Sequence, residues 1–238
     1  MSVPVSTMQP IRQHNVFSRR RGSSPEVDRV MDFVRDGIAQ GRLSPGQKLV
    51  EIDICTALGL KRGPVREGLR MLAGQGVLEL IPNRGAWVRK LNREELSDMV
   101  QTLASLNAGA LFQALRRNDE ARLKAVLDPI VDRMQLAMAA QSYPALMREI
   151  AHYHSAVIDL SGNSYMAYLL EALHVYHYHR SMELELTVEN WPLYVGTYQK
   201  AHAAVISKDF ALAATIFEEH AQRLQATLAQ DAIPTVFR

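Results

Sequence analysis

The amino-acid sequence predicts a mainly α-helical fold in which a winged helix-turn-helix at residues 25–91 is followed by an all-α bundle at residues 92–232. Three observations carry this prediction. From Pro25 onward, three short helical periodicities precede two strand-like runs that flank the turn Pro82-Asn83-Arg84-Gly85. Beyond Leu91 only long helical periodicities occur, separated by short polar or Gly/Pro breaks. Charge divides along the same line: residues 1–93 carry 16 Lys and Arg against 8 Asp and Glu, whereas residues 94–238 carry 11 against 17. A basic small half joined to an acidic helical half suits a nucleic-acid reader attached to a domain of another kind.

With 238 residues, 47% of them hydrophobic, the chain can bury a substantial core in one small and one medium domain. No apolar run approaches the roughly 18 residues of a membrane-spanning helix, and no apolar stretch follows the N-terminal charges, so a soluble, cytoplasmic protein is expected. The lone Cys55 has no partner for a disulfide or a shared zinc site and is expected to be a small buried hydrophobe.

Residues 1–24 are rich in Ser, Pro and Arg and lack periodicity, which predicts a flexible arm. Its SRRRG run has two readings, a phosphate contact or a solubilising tail. The first helix starts at Pro25, buries Val27, Val30, Val34 and Ile38, and closes at Gly41 and the following Ser-Pro-Gly. A second runs from about Glu51 to Leu58, with Ile54, Cys55 and Leu58 inward and Gly59 ending it. The third opens at Gly63-Pro64, where proline suits a first turn, and continues to Gly74 or Gly76. The runs VLELI and AWVRK then form a two-stranded ribbon. Helices are expected over 93–116, 119–140, 143–161, 163–185, 190–207 and 209–230, with no fixed repeat that would indicate a solenoid.

The third helix carries two stripes. Val65, Leu69 and Leu72 are spaced i, i+4, i+7 and face a core. Arg62, Arg66 and Arg70 are spaced i, i+4, i+8, and like charges at that spacing repel unless a polyanion lies alongside. Lys61 and Arg62 stand at the helix N-terminus, where helix-turn-helix docking makes base-edge contacts, and arginine can pair bidentately with guanine. Arg84, beside Gly85 at the ribbon tip, is placed to reach a minor groove or phosphate. Arg89 and Lys90 extend the basic surface. The competing reading for Arg66 is a local brace to Glu67 or Asp53.

Residues 26–90 resemble the DNA-binding domain of the GntR family of bacterial transcriptional regulators, in the run GRLSPGQKL, in Glu51, in LGLKRGPVREGLRMLAGQGVLE and in NRGAWV. The family's common Ser-Arg-x-Pro-Val-Arg-Glu-Ala-Leu stands here as Lys61-Arg62-Gly63-Pro64-Val65-Arg66-Glu67-Gly68-Leu69. The resemblance implies DNA contacts at Lys61, Arg62, Arg66, Arg84 and Gly85, with Arg70 completing the stripe. The helical remainder is similar to the effector-binding FCD domain of the FadR-type branch, through Tyr153-His154, Ser161-Gly162-Asn163, Ala201-His202, Lys208-Asp209 and His220.

That second resemblance implies a divalent metal, zinc or nickel, held by His154, His202 and His220, with Ile150 standing where an acidic ligand is usual. Glu149 and His152 point off that face, and Leu103 and Asn107 occupy positions where related domains carry an arginine and a glutamate toward the cavity. The alternative is that the histidines are partly buried and satisfied by hydrogen bonds. His177, with Tyr176 and Arg180, is assigned to an effector pocket.

The resemblance implies a homodimeric regulator, not an enzyme, that binds a pseudo-palindromic operator and senses a small metabolite such as an organic acid. Repression relieved by effector is the commoner behaviour of the family. Two rivals stay open: a metal-dependent enzyme built on the histidine-bearing bundle, and an architectural DNA-binding protein with a filled bundle.

Overall fold

The computed structural model describes residues 24–175, 181–182 and 191–229; apart from Ser24, the predicted N-terminal arm lies outside them. Ser24 caps helix α1 (Pro25–Ala39), its hydroxyl accepting from Val27 N, while Pro25 sets the first turn and Glu26 and Asp28 complement the helix dipole. Val27, Val30, Val34 and Ile38 are all buried, and Met31 joins them. Helix α2 (Glu51–Leu58) buries Ile54 and Cys55 and stops at Gly59, whose φ of 64° needs a residue without Cβ strain. Helix α3 (Arg62–Gly74) buries Val65, Gly68, Leu69 and Leu72 against α1 and α2.

The wing is larger than the predicted ribbon. Strands β2 (Leu78–Ile81) and β3 (Gly85–Val88) pair antiparallel, and the short β1 (Lys48–Leu49) adds to the other side of β3, giving the order β1-β3-β2. A two-residue strand has too little periodicity to show in sequence; pairing with β3 creates it. At the tip Arg84 N donates to Ile81 O, with Pro82 at the second turn position and Asn83 at the third with φ 62°.

Gly68 sets the approach of α3 to α1. A Cβ there would stand 2.8 Å from Val30 Cγ1 and 2.9 Å from Val30 Cβ, closer than carbon atoms pack. Gly68→Ala is therefore expected to lower stability by about 1 kcal/mol. Overpacking costs about 1–3 kcal/mol and outweighs the roughly 1 kcal/mol that alanine adds to helix propensity. Chemical denaturation measures this, and Val30→Ala in the same chain should recover part of the loss. A Gly68→Ala protein as stable as the parent would show that the two helices part freely.

The remaining described helices are α4 (Arg93–Arg117), α5 (Glu120–Ala139), α6 (Tyr143–Ser161), α7 (Ser164–Ala172), α8 (Trp191–Ile206) and α9 (Phe210–Ala229). One departs from expectation: the helix predicted from 163 to 185 is broken after Ala172 by a turn at Leu173 and His174, the latter at φ 48°. The main core is shared by α4, α5, α6 and α8 and includes Leu111, Leu123, Leu127, Met134, Leu146 and Ile158. A second cluster joins Leu91, Leu96 and Val100 to Tyr194, Ala221, Leu224 and Leu228.

Wing and bundle meet through a short strut. Asn92 caps α4 by accepting from Glu95 N at 2.9 Å, and Glu95 Oε2 accepts from Asn92 N at 2.9 Å, a capping box. The same Glu95 pairs through Oε1 with Arg89. Arg89, expected on the basic surface, is thus partly buried and committed to the junction, because the chain turns directly from β3 into α4 there.

Candidate functional site

The basic stripe of α3 forms as the spacing predicts. Val65, Leu69 and Leu72 are buried and hold the helix down, which turns Arg62, Arg66 and Arg70 outward with Lys61 at the N-cap; all four cations are exposed. At the wing tip Arg84 and Gly85 are exposed as well, and Gly85 has φ 90°, a left-handed value that favours glycine. Arg66 Nε donates to Glu51 Oε2 at 2.9 Å. Its brace is therefore Glu51 at the start of α2, not Glu67 or Asp53. With the two side chains 55% and 39% exposed, this pair contributes at most about 1 kcal/mol and can exchange for a phosphate.

Sequence reasoning passed over Lys48. It lies exposed on β1, paired with Trp87, with its Cε about 4.0 Å from the point a Cβ on Gly85 would occupy. It adds a cation beside the wing tip. Only recognition of β1 would have put it there.

The bundle walls line a pocket that is partly open to solvent. Helix α4 contributes Val100, Leu103, Ala104 and Asn107, and α9 contributes Phe217, His220, Ala221 and Leu224, in each case a 0, 3, 4, 7 pattern that selects one helix face. Met147, Ile150 and His154 come from α6, Tyr194 and Tyr198 from α8, and Met182 closes the lining. Among these described residues there is no Lys, Arg, Asp or Glu. A carboxylate ligand, which the resemblance implies, meets no cation among them.

Two of the three predicted metal ligands, His154 and His220, reach this wall; His202 does not line it. The side chain of α8 that stands with them is Tyr198, one helical turn before His202. Its hydroxyl and His154 Nε2 share a hydrogen bond of 2.6 Å, and its ring centroid is 5.7 Å from that of His220. His202 instead donates from Nε2 to Asp128 Oδ1 of α5 at 2.8 Å and packs edge-on against Tyr153. With Ile150 at the usual acid position and Tyr198 at the wall, no group of three potential metal ligands converges among the described residues. The residues present do not fit the metal centre that the resemblance implies, nor the metal-dependent enzyme that would need one.

Burial pushes the His154 imidazole down to about 4. Burial does the same for His220, also to about 4, with His154 and Arg223 adding unfavourable positive neighbours. Both are neutral at pH 7. Burial pushes the Tyr194 phenol well above its ordinary value, so it too stays uncharged. Asn107 Nδ2 donates to Leu103 O at 2.8 Å. Glu149 and His152 turn away as expected: Glu149 accepts from Arg133 Nε at 2.8 Å and from His152 Nδ1 at 3.1 Å. Burial raises the Glu149 carboxyl, but these two partners outweigh it and the net shift is downward. Tyr176, His177 and Arg180 lie outside the described residues.

Comparison with known proteins agrees with both halves. A family model described as bacterial regulatory proteins, gntR family, matches residues 26–88, and an FCD domain model matches residues 95–223. The chain is 37% identical over 89 residues to the probable D-xylose utilization operon transcriptional repressor of Paenarthrobacter nicotinovorans, covering 37% of this chain and 39% of that one. It is 28% identical over 167 residues to the Glc operon transcriptional activator of Escherichia coli strain K12, covering 63% and 66%. The match thus spans less than two thirds of either relative's length. In fold, the chain is similar to the E. coli McbR/YncC structure, with TM-score 0.72, 19% identity and coverage of 86% and 97%. It is also similar to a candidate transcriptional regulator GntR from Rhodococcus sp. RHA1, with TM-score 0.74, 20% identity and coverage of 88% and 100%.

Proposed function

We propose that this chain, which belongs to the gntR family of bacterial regulatory proteins and carries an FCD domain, binds a pseudo-palindromic DNA operator as a homodimer and releases it when a small molecule enters the bundle pocket. In this reading the chain acts as a repressor that the effector relieves. The observation that carries the reading is the exposed stripe of Arg62, Arg66 and Arg70 opposite the buried Val65, Leu69 and Leu72, with Arg84 and Lys48 on the adjoining wing. Lys61 and Arg62 contact base edges, Arg66 and Arg70 the backbone, and the wing tip the neighbouring minor groove or phosphate.

Coupling between the halves runs through the second apolar cluster. Leu103, Val100, Tyr194, Ala221 and Leu224 belong both to the pocket wall and to the cluster that seats Leu91, four residues before Glu95 and its pair with Arg89. A ligand that spreads α4 from α9 shifts Leu91 and with it the wing. A second copy docks on the apolar surface of α7, which buries none of its own residues and exposes Tyr165, Tyr168 and Leu169.

Selection from a pool of random duplexes by the full chain tests this reading. The enriched duplexes should contain two inverted half-sites one helical turn apart, roughly 10 base pairs centre to centre, and sedimentation should find two chains on each duplex. No enrichment, or one chain on a single half-site, would overturn it.

A further inference from the structure

We infer that the bundle pocket takes an uncharged, mainly apolar ligand carrying an N–H or O–H donor, and takes it without a metal ion. The inference rests on the pocket being the effector site. It departs from the metal-plus-carboxylate arrangement that the family resemblance implies, and the residues of the wall are the reason.

The first reason is the donor set. A metal would need His154, an α8 histidine, His220 and an acid to meet, and the wall offers Tyr198 and Ile150 at two of those places. His154 Nε2 is already shared with the Tyr198 hydroxyl at 2.6 Å, and His202 is held on Asp128 at 2.8 Å. A phenol is a poor ligand for zinc or nickel, and an isoleucine is none.

The second reason is charge. The described lining residues include aliphatic and aromatic side chains from α4, α6, α8 and α9 and no cation. A carboxylate entering there loses its water and meets no cation among the described lining residues, since Arg223, whose charge reaches Tyr194 and His220, is held on Thr197 Oγ1 and Glu219; an uncharged apolar body loses little.

The third reason is Asn107, 7% exposed and part of the wall. Its amide orientation is decided by Leu103 O, which can accept from Nδ2 but would repel Oδ1. Asn107 Oδ1 therefore points away from that carbonyl, is fully buried, and has no hydrogen-bond partner among the described residues. A buried acceptor left open is uncommon in a folded protein, and a ligand donor toward which the Asn107 side chain turns at the wall would satisfy it. Primary amides, phenols and N–H heterocycles supply one on an apolar frame; a carboxylate supplies only acceptors.

The test is a matched pair of probes. Full-length protein, stripped of metal with a chelator and dialysed, is titrated calorimetrically with 4-methylbenzamide and with 4-methylbenzoate, which share one shape and differ in charge and donor. The amide should bind at least tenfold more tightly, with no change on adding Zn²⁺ or Ni²⁺. Asn107→Leu should weaken the amide at least tenfold, and Asn107→Ser, which keeps an acceptor, should weaken it less. Circular dichroism confirms that both variants fold. Equal or tighter binding of the benzoate, binding that requires the metal, an Asn107→Leu protein that binds the amide unchanged, or no amide binding would each overturn the inference. The two readings fail separately: a chain that selects inverted half-sites but prefers the benzoate loses only this inference. One that prefers the amide yet enriches no duplex loses the regulator reading instead.

Discussion

Replacing Arg62 and Arg66 together with alanine is expected to lower affinity for the selected duplex on the order of 10²- to 10⁴-fold, at about 1–3 kcal/mol for each arginine that pairs with a base edge or phosphate. Both side chains are exposed on α3 and the core stripe beneath them is untouched, so the fold should persist. The loss has a second source at Arg66. Removing its guanidinium uncovers Glu51, whose carboxylate it holds at 2.9 Å, and leaves an acid facing the DNA. Fluorescence anisotropy between about 50 and 200 mM salt should show the slope of log affinity falling by roughly 0.9 for each phosphate that is no longer neutralised. Unchanged affinity and slope in a folded double variant would remove α3 from the interface.

Acidification should destabilise the bundle between pH 6.5 and about 4, through His154 and His220. Both have a folded-state value of about 4 against an ordinary 6.5, so in this window the unfolded chain binds the extra protons. The stability they contribute is complete above 6.5 and is lost as pH falls toward 4. A shift of that size corresponds to on the order of 3 kcal/mol for each histidine, a large share of the 5–15 kcal/mol typical of a folded protein. Because each imidazolium would repel the other, the second protonation is harder than the first. Glu149, shifted downward, acts in the same direction but only below its ordinary 4.5, which separates the two effects by pH. Thermal melts across this range should show Tm dropping below pH 6.5, with a shallower drop in a His154→Gln, His220→Gln protein. A parent curve flat to pH 5 would mean that these imidazoles are solvated.

Much of the DNA-facing half could be read from sequence because its determinants are local. Proline at a first turn, glycine at a helix end and a four-residue arginine step act within one element, and α1, α2, α3 and the β2–β3 turn form where those signals stand. The helix boundaries of α4, α5, α6, α8 and α9 were legible for the same reason. The break at Leu173–His174 was not, since neither residue is a helix breaker and the left-handed turn at His174 satisfies no local rule.

The sequence by itself therefore determined most of the helices and the β2–β3 ribbon, the sign of the charge on each half and the family. Tertiary structure alone decided which side chains meet. Whether Tyr198 or His202 of α8 joins His154 and His220 depends on how far α8 slides along α6 and α9. One turn of slide, about 5.4 Å, exchanges the two while preserving the helix face that periodicity reports. The same holds for Glu51 as the partner of Arg66, for Glu95 as the partner of Arg89, and for β1, which exists only by pairing with β3. Spacing along one helix is a local property, and the position of one helix against another is set by the packing of the whole core.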